Sequence, residues 1–352
     1  MTPLSNIPPP RQQLLPAREE SLPLDAEKVT LLQKYQNEIA TWVDLFDNDL
    51  NFQRTAVKWS LASPLMMNAI CALTARQLSM VGHDGNTWGS SATRYYGESL
   101  HHLIETLVDP TASQEVSLAA TVLLSSYELL VSPGLDHRRH VSGALTLIRT
   151  YGCKASSKGL MGASFWVYAR QDVAMALVHE RPTMFHPREW CVSWNPKETA
   201  EDVLGNQLIW IIAKIIAFTF QEGKELSDDL LLRQQRDQLL TETNAWFNRL
   251  PAAFHGIPYG RPSKEGFIKY WFAVPMTGKD CRFHVNKYLP GLTRGTAAVM
   301  SMYHLSQILL FCEGCNARFA ADEQSTVGEK NPIEYWSFII AFRLHRYFLV
   351  SI

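Results

Sequence analysis

Apolar residues recur every three or four positions along most of this chain, and residues that start or stop helices bound the repeats. This spacing is that of an α-helix with one apolar face. Ser63-Pro64 opens one such segment in the N-cap and first-turn positions, and Gly152 follows another where a C-terminal cap belongs. Thr111 and Gln114 have the spacing of a capping box. In the first segment, residues 27–47, the apolar face consists of Leu32, Tyr35, Ile39, Trp42 and Phe46.

About ten helices are predicted in this way, and they do not alternate with strands as a parallel sheet would require. The sequence therefore predicts an all-α fold, a multi-helix bundle with irregular packing between helices. Only residues 267–276 form a short run expected to pair as a strand. Residues 1–25 are rich in proline and predict a disordered leader, and residues 26–352 are expected to form a single domain.

The charge balance argues against a broad nucleic-acid surface, because 33 Lys and Arg residues nearly cancel 34 Asp and Glu residues. The six cysteines fall mostly within apolar helical patterns, where a free thiol behaves as a small hydrophobic group. The first 25 residues lack the apolar core of a signal peptide. The most apolar run, residues 208–220, is too short to span a membrane and contains Lys214. We therefore expect a soluble intracellular protein without a membrane partner.

Sequence motifs for catalysis or metal binding are incomplete. Structural zinc needs four ligands, and the single Cys-x-x-Cys pair has no second pair. Two adjacent aspartates lack the further carboxylates that a magnesium site would require. Neither a glycine-rich phosphate loop nor a Gly-x-Ser-x-Gly elbow occurs. We expect no catalytic, metal or cofactor site. The incomplete candidates are Cys312 with Cys315, Asp136 with His137 and His140, His101 with His102, His179 with Glu180, and Asp228 with Asp229.

One segment places two opposite charges inside an otherwise apolar helical pattern. Arg170 and Asp172 occur in "FWVYARQDVAMALVHERP" and are separated by about 200° around a helix, so they cannot readily pair with each other. Each is expected to be buried and to meet a partner on a neighbouring helix, since an unpaired buried charge is costly. Arg138, Arg139 or Arg149 on the preceding helix is the expected partner of Asp172. These charges either fix the packing of helices or line an effector pocket; the candidate residues are Arg139, His140, Arg170 and Asp172.

Four segments together carry a resemblance to a known family. They are "EIATWVDLFDNDLNFQ" followed by "LASPLMMNAICALTARQLSM", then "SLAATVLLSSYELL", then "HRRHVSGALTLIRTYG" with its His-x-x-Gly-Ala core at His140, Gly143 and Ala144, and finally "GLMGASFWVYARQDVAMALVHERPTMFHPREW". In order and spacing they resemble the fungal-specific regulatory domain, or middle homology region, of fungal zinc-cluster transcription factors. The resemblance covers about residues 30–320.

The resemblance implies an all-α regulatory region of a nuclear transcription regulator, often of metabolic or natural-product genes. Such a region is thought to mediate inhibition, effector response and contacts with partners, and it brings no catalytic residues. The family's six-cysteine, two-zinc DNA-binding module normally precedes it, yet residues 1–30 contain no cysteine. Direct, specific binding of nucleic acid is therefore not expected. The last residues, "RLHRYFLVSI", lie within an apolar pattern, which suggests a truncated C-terminus.

The leading hypothesis is a regulator that acts through protein partners, as a homodimer or heterodimer with related regulators, or through a small-molecule effector. We keep two alternatives. One is an all-α enzyme acting on a hydrophobic small molecule, for which the internal charges would serve chemistry. The other is a dominant-negative interaction module that occupies the dimer surface of a full-length relative.

Overall fold

Helices make up nearly all of the regular structure in the part of the chain that is described. The computed structural model describes residues 24–81, 85–131, 138–195, 197–220, 229–255, 257–261, 269–271 and 299–311. Its helices are α1 (Ala26–Lys34), α2 (Ala40–Val43), α3 (Val57–Ser60), α4 (Pro64–Val81), α5 (Gly85–Val108), α6 (Gln114–Val131), α7 (Arg138–Thr150), α8 (Gly159–Val178), α9 (Glu201–Thr219), α10 (Asp229–Asn248) and α11 (Val299–Phe311).

Two π-helical turns lengthen the first helices. Tyr35–Ile39 joins α1 to α2, and Asn51–Ala56 leads directly into α3. The only strands in the described ranges are β1 (Ile257–Tyr259) and β2 (Lys269–Trp271), which pair antiparallel. The all-α prediction is confirmed, and the predicted strand run contributes three residues. Predictions for the leader, for the apolar pattern of the last residues, and for the candidates Asp136, His137, Asp228, Cys312 and Cys315 lie outside the described residues.

Most of the predicted helix boundaries follow from local capping. Ser63 caps α4, with its Oγ accepting from the Met66 N–H at 3.3 Å. Gly152 ends α7 in the left-handed region at φ +64°, and the next N–H reaches back to the Ile148 carbonyl oxygen at 2.9 Å. The predicted capping box, which began at Thr111, is wrong by two residues. Ser113 precedes α6 instead, while Thr111 donates to the Asp109 carboxylate.

The core forms because each long helix buries a face against a helix close to it in sequence. α4 packs on α1, α5 and α6, and α6 packs on α7 and α8. α8 then packs on α9, and α9 on α10. α4, α6 and α8 are apolar around most of their circumference, as expected for helices covered on several sides. α8 therefore lies in the middle of the layers, where a charged residue cannot reach water easily.

α9 is long and apolar enough to cross a membrane by length and composition alone, but two thirds of its most apolar window is buried inside the protein. Its Lys214 bonds to Glu242 on α10 and lies 3.8 Å from the centre of the Trp210 ring. A core helix of a helical protein has the same composition. The packing of α9 on α8 and α10 explains its apolar sequence.

Glu180, just after α8, allows a test of local backbone strain. It is exposed and has φ +51°, a left-handed conformation that favours glycine, while the following N–H bonds to Ala176. We expect Glu180→Gly to raise the free energy of unfolding by about 1 kcal/mol, because glycine adopts this conformation without a Cβ penalty. Urea denaturation measures the effect. Gly152→Ala, at the equivalent position after α7, should lower the free energy of unfolding by a similar amount. If both variants changed the free energy of unfolding in the same direction, the explanation would be contradicted.

Candidate functional site

Arg170 and Asp172 are both buried in α8, as the sequence predicts, with 6% and 1% of their surface exposed. They point in different directions and contact different segments of the chain. Arg170 reaches the C-terminal end of α2, and Asp172 reaches the segment after α8. The two charges therefore link α8 to two parts of the protein rather than to each other.

The Arg170 guanidinium donates to the carbonyl oxygen of Val43, the last residue of α2, at 2.5 Å. Its centre lies 5.6 Å from the centre of the Phe46 ring. The carbonyl end of a helix carries a partial negative charge, which favours a cation there. Burial lowers the pKa of Arg170 to about 10, while the carboxylates of Asp44 and Asp47 counteract this shift. Arg170 is therefore still a cation at neutral pH.

Asp44 is fully buried and lies opposite Arg170. Its two carboxylate oxygens accept the N–H groups of Phe52 at 2.9 Å and Gln53 at 2.7 Å, at the start of the helical segment that leads into α3. Burial raises the pKa of Asp44 to about 7, although both N–H groups and the Arg170 charge act to lower it. The sequence analysis missed this residue and also the separate helix over residues 51–60. The cluster of Asp44, Asp47 and Asn51 was the available signal, since such residues begin helices.

Asp172 holds the segment after α8 by its backbone. Its carboxylate accepts the N–H of Met184 at 2.9 Å and the N–H of Phe185 at 2.8 Å. These bonds place Phe185 against Phe165 of α8, with ring centres 6.0 Å apart, and the Trp190 indole N–H then donates to the Phe185 carbonyl oxygen. We call residues 183–190 the clamp segment, because Asp172 fixes it on the core.

The prediction that Arg149 pairs with Asp172 is wrong. Arg149 instead forms an ion pair with Glu189 at 3.0 Å and lies over the Phe185 ring, so it fastens the clamp segment from the α7 side. The backbone of Arg139 and His140 lies in the first turn of α7, but their side chains, like that of Arg138, lie outside the described part. Whether they join Asp172 stays a prediction.

A second buried carboxylate, Glu128 on α6, escaped the sequence analysis. The Tyr96 hydroxyl of α5 donates to it, and the Tyr96 ring stacks on Tyr127 with centres 4.5 Å apart. Burial raises the pKa of Glu128 to about 7, and the bond from Tyr96 only partly opposes this. No sequence signal identifies it, because a Glu in an apolar helix has many possible orientations.

Glu128 should make the stability depend on pH. Its pKa is higher in the folded protein than in the unfolded chain, so between about pH 4.5 and 7 the folded state retains a proton that the unfolded state releases. The free energy of unfolding is therefore expected to fall as the pH rises through this window. Glu128→Gln lacks this contribution. Its free energy of unfolding should therefore increase relative to that of the wild type as the pH rises. Denaturation at several pH values measures the difference, and a pH-independent difference would contradict the prediction.

The cavities beside the α8 charges are small. One is lined by Asp172, His179, Arg181 and Met184, and another lies between Arg170, α9 and α11; each has a volume of about 10 Å³. That volume holds about one water molecule, whereas small-molecule sites usually measure about 300–1,000 Å³. Among the described residues, no group of three or more His, Cys, Asp or Glu side chains could hold a metal ion. His101 and His102 instead lie on the surface of α5 beside Glu105.

The fold and these contacts define an all-α domain whose internal charges join helices and a clamp segment around one core. A family model described as the fungal specific transcription factor domain matches residues 30–253, which is more than half of the chain. The protein belongs to this family of fungal transcription factor domains. The match begins where the resemblance begins and ends before its expected limit near residue 320. Neither the curated proteins nor the solved structures contain a match.

Proposed function

We propose that this chain is the regulatory domain of a nuclear transcription regulator of metabolic or secondary-metabolite genes, acting through protein partners or a small effector. The family match carries the proposal, because it covers the helices that build the core and includes both α8 charges. The contacts of Arg170 and Asp172 support it as well. Both side chains bond to backbone groups in the core, which is a structural use of charge rather than a catalytic one.

The distribution of cysteines supports action through partners rather than through DNA contacts made by these 352 residues. A two-zinc module of this family needs six clustered cysteines, whereas the six here are spread from Cys71 to Cys315. Cys71 and Cys153 are buried in the core, where burial raises the pKa of both thiols and disfavours the thiolate that binds a metal.

A reporter experiment in a fungal cell tests the proposal. The chain is fused to an unrelated DNA-binding domain and directed to a reporter promoter of intermediate activity, so that activation and repression are both visible. We expect the fusion to change transcription relative to the DNA-binding domain alone. The Asp172→Ala fusion, which loses the anchor of the clamp segment, should have a weaker effect at the same protein level. A folded fusion that leaves transcription unchanged would contradict the proposal.

Zinc analysis of the purified chain tests the inference that these 352 residues contain no two-zinc DNA-binding module. We expect less than one zinc ion per chain after dialysis. Two tightly bound zinc ions would show that scattered cysteines assemble a metal site and would remove the argument for action through partners.

A further inference from the structure

One carboxyl group joins the loop after α2 to the π-helical turn that leads into α3. Both oxygens of Asp44 accept backbone N–H groups there, from Phe52 and Gln53, which lie eight and nine positions further along the chain. We call these two contacts the Asp44 joint. The chain turns back on itself between the acceptor and the donors, so the charge of this one group affects how firmly residues 44–53 are held together.

Asp44 is in an unfavourable place for a negative charge. Its side chain is fully buried, and its direct partners in the described part of the chain are the two backbone N–H groups. The nearby cation, Arg170, donates to the Val43 carbonyl oxygen rather than to this carboxylate. Burial disfavours the ionised form of a carboxyl group, and retention of a proton relieves that cost.

The titratable groups around Asp44 bring more negative than positive charge. Asp47 of the same loop raises the pKa of Asp44, and Arg170 of α8 lowers it. Tyr35, from the π-helical turn before α2, also interacts with Asp44, but its buried hydroxyl stays neutral. On the α9 side, Asp202 interacts with Asp47. One cation thus faces three carboxyl groups among the described residues, which favours a proton on Asp44, the most buried of them.

Opening of the joint changes the affinity of Asp44 for a proton. In the closed joint its pKa is raised to about 7 by burial, whereas a carboxyl group exposed to water has a pKa of about 4. Between these two values the closed joint holds a proton that the open joint releases, so opening becomes more favourable as the pH rises. Release of one proton increases the opening equilibrium constant about tenfold per pH unit. Above about pH 7 both states are ionised and the dependence ends.

We propose that the Asp44 joint is a proton-sensitive device, which holds residues 44–53 closed while Asp44 is protonated and favours their opening when it ionises. Because these residues connect α2 to α3, the device gives the N-terminal helices a response to pH between mildly acidic and neutral conditions. The proposal goes beyond the proposed function and stands whether or not the chain regulates transcription.

Hydrogen exchange of the purified full chain between pH 5 and 7 tests the proposal at the N–H groups of Phe52 and Gln53. After correction for the intrinsic pH dependence of exchange, their opening equilibrium constant should increase about tenfold per pH unit. Asp44→Asn cannot ionise, so this increase should disappear in that variant. Asp109→Asn is the matched control, because Asp109 also accepts a backbone N–H, from Thr111, but lies at the surface; it should keep the wild-type increase.

A direct titration of Asp44 in the wild-type chain decides the matter even if Asp44→Asn fails to fold. The carboxyl carbon resonance of Asp44, followed by NMR, should titrate with a midpoint near pH 7. Asp47→Asn removes a neighbouring negative charge and should lower this midpoint, whereas Asp109→Asn should not change it. A midpoint below pH 6 would overturn the proposal, as would the same exchange increase in the wild-type and Asp44→Asn chains. Either result would leave the reporter experiment unaffected, so the two proposals fail separately.

Discussion

Replacing Asp172 by alanine is expected to lower the free energy of unfolding by about 3–5 kcal/mol, which is a large part of the stability of an ordinary domain. The carboxylate accepts two backbone N–H groups, of Met184 and Phe185, inside the core. Alanine leaves both donors without this acceptor, and each unsatisfied buried group costs about 1–3 kcal/mol.

Two further variants separate the hydrogen bonds from general effects of removing an aspartate. Asp172→Asn retains one acceptor oxygen and should lose roughly half as much stability. Asp109→Ala removes a carboxylate that also accepts a backbone N–H, from Thr111, but it lies at the surface and should have a small effect. Denaturation in urea, followed by Trp fluorescence, measures all three. Trp190 belongs to the clamp segment, so its emission should also shift in Asp172→Ala before global unfolding. Equal losses for Asp172→Ala and Asp109→Ala would contradict the interpretation.

Removing the buried cation should have a comparable effect. Arg170→Met keeps much of the side-chain volume but leaves the Val43 carbonyl oxygen and the Asp44 carboxylate without their positive partner. We expect a loss of about 3 kcal/mol, since breaking one side of a buried charge arrangement exposes the other to an apolar medium.

The interaction between Arg170 and Asp44 can be isolated by a double-mutant cycle. Asp44→Asn in the Arg170→Met background removes the carboxylate that has lost its partner. The loss of stability in the double variant should therefore be smaller than the sum of the two single losses, by about 1–2 kcal/mol. Lys34→Met changes an exposed cation to the same residue and is the control for the substitution itself. Strict additivity of the two changes would show that Arg170 and Asp44 do not interact.

The fold class and the burial of the α8 charges could be predicted from the sequence because both depend on local patterns. A three- to four-residue apolar spacing, Ser63 before α4 and Gly152 after α7 are each read from a few neighbouring residues. Arg170 and Asp172 could be recognised as buried because apolar residues surround them in the helix.

The backbone partners of these charges could not be predicted, for a physical reason. Arg170 bonds to the Val43 carbonyl and Asp172 to the N–H groups of Met184 and Phe185. Backbone groups are the same in every residue, so no residue type in the sequence identifies them. The search for an oppositely charged side chain named Arg149 as one of three candidates, and Arg149 pairs with Glu189. The burial of Asp44 was missed for the same reason. Its carboxylate bonds to the backbone N–H groups of Phe52 and Gln53, which approach it only because the chain folds back after α2.

The contact between Arg170 and Val43 cannot form until late in synthesis, because 127 positions separate its two residues. Ribosomes add about 5–20 residues per second, so the emerging N-terminal helices wait roughly 6–25 seconds for α8 to be translated. During this interval Asp44 lacks its cation, and the apolar sides of α1 and α4 lack their full cover. Nascent chains of this protein should therefore depend on chaperones until the ribosome has passed residue 190 and the clamp segment can close.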